Sequence, residues 1–200
     1  MKNVRVEGRT SFLFVSAVAV IMTSLKKKIS EEEISLRVDA IASAIRRDYE
    51  GGDIVVLCVL SGSIIFIADL IRRLDMSILL DMVSVSSYRG KSIEPSRLQM
   101  LKMFSGDVRG KDVLIVDDIC DTGATLAEIV RRVNDMGPAS LKTCVFLDKP
   151  ARHRIDIKPD YIGFEVDDGF VAGYGLDYNG RFRNLPYVAE IEVVSGGDSQ

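Results

Sequence analysis

Short apolar runs alternate along this chain with stretches in which apolar residues recur at helical spacing. The apolar runs predict strands at 54–60, 78–87, 113–116, 141–147 and 161–166. The periodic stretches predict helices at 30–49, 64–74 and 126–136. Because strands alternate with helices, the sequence predicts an α/β fold with a mainly parallel sheet and ligand loops at its carboxyl edge.

Two further patterns refine this prediction. Ser30-Glu31-Glu32-Glu33 is a capping-box pattern, and it precedes a regular apolar stripe that runs to about Tyr49, so the first helix is expected to be a scaffold helix. Apolar alternation also resumes at 98–104 after a polar stretch that follows the second strand. These segments predict a hairpin with a long polar tip.

Composition places the chain among ordinary globular proteins. Its 200 residues are 47% hydrophobic and 28% charged, which fits one α/β domain. A net charge of -3 gives no electrostatic reason to expect nucleic acid or an acidic membrane as a partner. Cys58, Cys120 and Cys144 lie far apart, which favours reduced core residues over a disulfide framework or a metal site and therefore a cytoplasmic location.

The N-terminus allows two interpretations. Lys2, Arg5 and Arg9 precede an apolar run, 12–22, that has the length of a signal peptide and is too short to span a bilayer comfortably. The favoured alternative is an extra arm, or a start upstream of the real one at Met22. We therefore expect an extension at 1–21, a domain at 22–195 and a flexible tail at 196–200.

The segment with the clearest chemistry is 113–125. The apolar run 113–116 is followed by Asp117 and Asp118, and because burial of two unpaired acids is costly, they are expected at an open strand end. The small residues 121–125 then lead into a helix. Such a turn directs backbone N–H groups into one concavity at a helix N-terminus, which favours an anion such as phosphate. The alternative is a simple N-cap.

The segment Val-Asp-Asp-Ile-Cys-Asp-Thr-Gly-Ala-Thr at 116–125 resembles the phosphoribosyl pyrophosphate motif of type I phosphoribosyltransferases. Leu-Asp-Lys-Pro at 147–150 and the loop 167–178 narrow the resemblance to the hypoxanthine-guanine branch. The resemblance implies the fold of that family, with a small hood subdomain. It also implies Mg²⁺-dependent transfer of 5-phosphoribosyl to N9 of hypoxanthine or guanine, in purine salvage, with pyrophosphate released.

The resemblance also assigns roles to particular residues. The residues expected to bind phosphoribosyl pyrophosphate are Ser61, Gly62, Asp117, Asp118, Thr122, Gly123, Ala124, Thr125 and Arg183. Asp121 is expected to be the general base. The purine is expected to meet Lys149, Phe170, Val171 and Asp177, and a mobile loop to contain Ser87 and Tyr88. Asp177, with Asp117 and Asp118, is expected to hold Mg²⁺.

The chain departs from the family pattern at several points. Ser61 stands where members often carry Lys or Arg, so the backbone near Gly62 is expected to approach the pyrophosphate. Gly62 could supply an unusual backbone angle for this approach, and the alternative is a plain tight turn. Asp167-Asp168-Gly169 replaces a Pro-Asp pair, which leaves base preference open. His153 lies in a basic stretch and is expected to be solvated.

Two alternative functions stay open from the sequence. One is a related enzyme that prefers xanthine, because a lysine donor does not separate hypoxanthine, guanine and xanthine. The other is a regulator that senses phosphoribosyl pyrophosphate and binds nucleic acid, although the lack of net positive charge speaks against it. The family resemblance also implies a homodimer or homotetramer.

Overall fold

The computed structural model describes residues 3–6, 9–16, 19–50, 52–86, 99–102 and 106–194. The elements are β1 (Asn3–Val6), β2 (Arg9–Ser16), β3 (Ala19–Ile29), α1 (Glu31–Asp48), β4 (Ile54–Leu60), α2 (Ile64–Ile71), β5 (Ile78–Ser86), β6 (Gln99–Lys102), β7 (Asp112–Cys120), α3 (Ala124–Asp135), β8 (Ser140–Asp148), a 3-10 helix (Pro150–Arg152), β9 (Tyr161–Glu165), β10 (Val171–Ala172) and β11 (Val188–Val194). They form two compact units, residues 35–168 and residues 1–34 with 169–200.

The larger unit is built on a six-stranded sheet in the order β6-β5-β4-β7-β8-β9. Five of these strands are parallel, and β6 pairs antiparallel with β5 at one edge. The central strands β4 and β7 are apolar along most of their length because both faces of a parallel sheet are covered. This arrangement confirms the α/β fold with a mainly parallel sheet.

The helices follow the predicted apolar stripes. Ser30 Oγ accepts a hydrogen bond from Glu33 N at 3.2 Å, and Glu33 Oε2 accepts one from Ser30 N at 2.8 Å, which confirms the capping box. The buried face of α1 consists of Ile34, Val38, Ile41 and Ile45. Helix α2 ends at Ile71 and not at 74, because the backbone N–H groups of Arg73 and Leu74 form tighter i→i−3 hydrogen bonds.

The predicted hairpin is present where the structure describes it. Strands β5 and β6 pair antiparallel, with Ser86 opposite Gln99. The tip, which includes Ser87 and Tyr88, lies outside the described residues.

The smaller unit is an antiparallel sheet in the order β1-β2-β3-β11-β10. Its core contains Leu25, Ala172, Phe182, Ala189 and Ile191. Strand β3 runs through position 21, and the β1–β2 hairpin pairs with it, so part of the expected N-terminal extension is continuous with this sheet. The expected tail 196–200 lies outside the described residues. Within the described part of the chain, no helix has the length and hydropathy needed to cross a membrane.

Candidate active site

The acidic pair lies within β7 and not after it. Pairing with β4 stops at Val116, whereas pairing with β8 continues to Cys120. Asp117 is buried, with 5% of its surface exposed, so the expectation of an open strand end is wrong for the β8 side. Hydrogen bonds from the backbone offset part of the cost of burying these carboxylates. Asp117 Oδ1 accepts from Asp118 N at 2.8 Å, and Asp118 Oδ1 accepts from Ile119 N at 3.0 Å.

This burial changes the chemistry of Asp117. Removal from water, together with the neighbouring charge of Asp118, raises the pKa of Asp117 well above the usual carboxyl range. Asp118 is only half-buried. The two acids are neighbours in a strand, yet they occupy different environments because successive side chains face opposite sides.

The turn after β4 contacts the second of these acids. A Cβ at Gly62 would overlap the carboxylate of Asp118, so any other residue here requires that carboxylate or the turn to shift. Gly62 does not have a positive φ, so the alternative of an unusual backbone angle is wrong, and the close approach of Asp118 is the feature that favours glycine. Next to it, Ser63 is fully buried and its hydroxyl donates to Val59 O. The peptide bond between Leu60 and Ser61 is cis.

The turn between β7 and α3 has the form expected of an anion site. Gly123 has a φ of +79°, and a Cβ there would lie 2.7 Å from Cγ2 of Ile157, so both strain and crowding require glycine. Ala124 begins α3, and Thr122 Oγ1 accepts from Ala124 N at 3.4 Å. The first turn of α3, which includes Thr125, therefore presents backbone N–H groups at the carboxyl edge of the sheet.

Asp121 has a partner that the sequence analysis missed. Arg152 Nε lies 2.6 Å from Asp121 Oδ1, and the same guanidinium contacts Asp168. Both of these atoms are buried, and charge attraction between the guanidinium and the carboxylate helps to hold the pair together. The 3-10 helix that follows Lys149 brings Arg152 back over the turn, which no local pattern indicates.

The end of β8 carries Lys149, which is 6% exposed. Its backbone N donates to Cys120 O at 3.0 Å, which ties the ends of β7 and β8 together. His153 Nε2 lies 2.8 Å from Asp148 Oδ1, and the His153 side chain is only 14% exposed. The expectation that His153 is solvated is therefore wrong.

The smaller unit holds the residues predicted to meet the purine. Phe170 is 67% exposed, and its ring lies edge-on to Tyr178 with the centroids 6.4 Å apart. Val171 is buried and pairs with Glu190 in the β10–β11 ladder. An exposed aromatic ring beside a fixed backbone segment fits a platform for a planar ligand.

Asp177 and Arg183 form one cluster in the same unit. Arg183 donates to Gly175 O at 2.6 Å, and another of its nitrogens lies 2.6 Å from Asp177 Oδ1. The second oxygen of Asp177 accepts from Gly180 N at 2.7 Å. The guanidinium and the carboxylate are thus oriented by backbone contacts.

Each unit thus gathers part of the predicted set. In the larger unit, the predicted residues lie at the carboxyl ends of β4, β7 and β8 and in the turns that follow them, namely Ser61, Gly62, Asp117, Asp118, Asp121, Thr122, Gly123, Ala124, Thr125 and Lys149. In the smaller unit, Asp177 and Arg183 are brought into contact.

Known proteins have sequences and folds similar to those of this chain. The family model for the phosphoribosyl transferase domain matches residues 27–179. A hypoxanthine-guanine phosphoribosyltransferase of Aquifex aeolicus is 44% identical over 170 residues, which cover 84% of this chain and 95% of the relative. The Bacillus subtilis protein of the same name is 39% identical over 167 residues, covering 84% of this chain and 93% of the relative.

Solved structures give the same result. A crystal structure of a hypoxanthine-guanine phosphoribosyltransferase from Bacillus anthracis has a TM-score of 0.79 and 38% identity, covering 85% of this chain and 99% of that one. A hypoxanthine phosphoribosyltransferase structure from Staphylococcus aureus also has a TM-score of 0.79, with 36% identity and coverage of 84% and 91%. The chain therefore belongs to the phosphoribosyltransferase family, in its hypoxanthine-guanine branch.

Proposed function

We propose that this protein transfers 5-phosphoribosyl from phosphoribosyl pyrophosphate to N9 of hypoxanthine or guanine in purine salvage, with release of pyrophosphate. The proposal rests mainly on the segment in which β7, the turn after it and the start of α3 meet at the carboxyl edge of the sheet. There, two carboxylates and a helix N-terminus lie within one short segment, which suits a ligand with both hydroxyls and phosphate. The close relationship to enzymes of that name supports the reaction.

The larger unit would bind the sugar and its 5′-phosphate. The turn from Thr122 to Thr125 would receive the phosphate through backbone N–H groups and the threonine hydroxyls. Asp118, half-buried, would orient a ribose hydroxyl, while Asp117 lies deeper. The backbone of Ser61 and Gly62 would approach the pyrophosphate, and the guanidinium group of Arg183 would donate paired hydrogen bonds to it.

Asp121 is the proposed general base, which would take the proton from purine N7 as N9 attacks the anomeric carbon. Its Oδ1 is paired with Arg152 Nε at 2.6 Å, but the side chain as a whole is 42% exposed, so the other carboxylate oxygen would accept the proton. General base assistance of this kind contributes about 10²–10⁴-fold. Positioning and electrostatic stabilisation would supply the larger share of the rate.

The purine would be recognised by its edges and its face. An ammonium group donates hydrogen bonds and accepts none, so Lys149 would bind a 6-oxo group and reject the 6-amino group of adenine. Phe170 would stack on the ring, and the backbone of Val171 would contact the purine edge. The exposure of the Phe170 ring supports this role. A loop that includes Ser87 and Tyr88 would close over the reacting centre and exclude water.

The donor set suits Mg²⁺. Mg²⁺ prefers carboxylate oxygen and water as ligands. Each oxygen of Asp177 carries one contact, and a carboxylate has about four lone-pair sites, so capacity remains for a metal-bound water. Asp177, with Asp117 and Asp118, would hold the ion, which when bound neutralises negative charge on the departing pyrophosphate.

The assembly and location are proposed on other grounds. Ile64, Leu79 and Met82 are 48%, 51% and 39% exposed, and such apolar exposure supports self-association as a homodimer or homotetramer. All three cysteines are free and buried, which supports a cytoplasmic location. We expect neither nucleic acid nor a membrane as a partner.

The variant Asp121→Asn tests the chemical role. It keeps the size of the side chain and removes the base, so turnover should fall by about 10²–10⁴-fold while the affinity for phosphoribosyl pyrophosphate changes little. Turnover would be measured under saturating substrates and affinity by calorimetry. Equal losses in turnover and affinity would show that Asp121 binds the substrate and is not the base.

A further inference from the structure

A second group of metal-binding side chains lies beside the candidate active site. Cys120 and Asp148 are partners in the β7–β8 ladder, so their side chains are neighbours. The 3-10 helix after Lys149 returns the chain and places His153 Nε2 2.8 Å from Asp148 Oδ1. One ligand atom from each of the three residues lies within 4.8 Å of the other two.

The three side chains of this cluster are largely buried, and each offers a different ligand atom. Cys120 is 2% exposed and Asp148 is 3% exposed, while His153 retains a 14% exposed side chain through which solvent reaches the cluster. The three groups supply one sulfur, one oxygen and one nitrogen. The proposed transfer reaction uses neither Cys120 nor His153.

We propose that Cys120, Asp148 and His153 form a binding site for Zn²⁺ or a similar divalent transition metal, with the fourth position open to water. Zn²⁺ accepts thiolate, imidazole and carboxylate ligands in a tetrahedral arrangement. Mg²⁺ prefers oxygen ligands in octahedral geometry and disfavours sulfur, so the site differs from the one proposed for Mg²⁺. Tetrahedral ligands lie about 3.5 Å from one another at zinc bond lengths, so side-chain shifts of about 1 Å would complete the site.

The metal would be held by the thiolate, so the proton of the Cys120 thiol must leave to solvent as the Sγ–metal bond forms. With three protein ligands in place of the four of a structural zinc site, we expect weaker, reversible binding. A reversible site fits a regulatory role better than a structural one.

The position of the proposed metal site predicts that bound metal inhibits the transfer reaction. Cys120 precedes Asp121 in the chain, and Asp148 precedes Lys149. Lys149 N also donates to Cys120 O at 3.0 Å, so both ligand-bearing strand ends are already coupled. A metal that draws Cys120, Asp148 and His153 together would therefore displace the neighbouring base and the purine-binding lysine.

Cobalt spectroscopy tests the site without substrate. Co²⁺ added to metal-free protein should give one equivalent of tetrahedral absorption bands and a thiolate-to-cobalt charge-transfer band, both removed by Zn²⁺ and unaffected by excess Mg²⁺. Cys120→Ala should abolish the charge-transfer band. His153→Ala, at a more exposed position, should weaken Co²⁺ binding by roughly tenfold or more. Cys144→Ala is the matched control, because Cys144 is also fully buried and should leave the spectrum unchanged.

Absence of the charge-transfer band in the wild-type protein, or its persistence in folded Cys120→Ala, would overturn the site. Should Cys120→Ala fail to fold, Cys120→Ser should likewise remove the charge-transfer band, and His153→Ala should still weaken Co²⁺ binding. The inhibitory consequence rests on the proposed function and is measured separately. Zn²⁺ should slow pyrophosphate release by the wild-type protein and have less effect on His153→Ala, each compared with its own zinc-free rate. The cobalt spectrum reports on the site even if no transfer activity is found.

Discussion

The carboxylate of Asp118 lies where a Cβ of residue 62 would be, so Gly62 lets the turn after β4 and the acidic pair in β7 approach each other closely. The contact lies beyond the end of the β4–β7 ladder, whose last paired residues are Cys58 and Val116. It places the backbone proposed to meet pyrophosphate beside the carboxylate proposed to orient ribose. The geometry of the two groups is therefore interdependent.

Gly62→Ala should lower transfer activity by roughly 100-fold, the scale on which a 1 Å misplacement of a positioning group acts. The methyl group must displace either Asp118 or the turn. Gly52→Ala is the matched control, since a Cβ there lies 3.7 Å from Tyr49 O, an ordinary contact. Steady-state kinetics would compare the two variants. Full activity in Gly62→Ala would show that Asp118 moves freely and does not position the substrate.

Asp117→Asn should stabilise the ligand-free protein near neutral pH while it impairs function. Burial and the Asp118 charge raise the pKa of Asp117 in the folded state. Between the ordinary and the raised pKa the folded protein binds more protons than the unfolded chain, so the free energy of unfolding falls as pH rises through this window. The asparagine does not titrate, and its Oδ1 still accepts from Asp118 N.

Urea unfolding of both proteins across acid to neutral pH measures this effect. The advantage of Asp117→Asn should grow with pH within the window and level off above it. Asp107→Asn serves as the control, because exposed Asp107 also accepts from a backbone N–H, that of Arg109 at 2.9 Å. A pH-independent difference between Asp117→Asn and the wild-type protein would contradict the linkage.

Arg152 should influence turnover only through Asp121. The guanidinium lies 2.6 Å from Asp121 Oδ1 and also contacts Asp168, so Arg152→Gln leaves the base less well held. We expect turnover to fall by about tenfold, or about 1.4 kcal/mol in activation free energy. In the Asp121→Asn background the same substitution should have little effect.

This comparison is a double-mutant cycle on turnover. Arg154→Gln is the control, since Arg154 is exposed and contributes its backbone N–H to Thr122 O. Additive effects of Arg152→Gln and Asp121→Asn would mean that Arg152 acts on the substrate directly and not by positioning the base.

The sequence predicted the parts of the fold that local patterns determine. The strands β4 and β7 were recognisable because parallel strands covered on both faces are continuously apolar, and the turn at 121–125 was recognisable by its small residues. The contacts of Arg152 and His153 were not predictable, because they depend on the 3-10 helix after Lys149, which no local pattern indicates. The burial of Asp117 depends on the continued β7–β8 pairing, and the need for Gly62 depends on the position at which β4–β7 pairing stops.

The most direct test of the proposed function is pyrophosphate release from phosphoribosyl pyrophosphate and Mg²⁺ with hypoxanthine, guanine, xanthine or adenine as the acceptor. The proposal predicts release with hypoxanthine and guanine and none with adenine, because Lys149 donates to a 6-oxo group and accepts nothing. The rate with xanthine would define the preference among 6-oxopurines. If no pyrophosphate is released with any of the four acceptors, although phosphoribosyl pyrophosphate binds, the result would contradict the proposed transferase function. It would favour a protein that senses phosphoribosyl pyrophosphate.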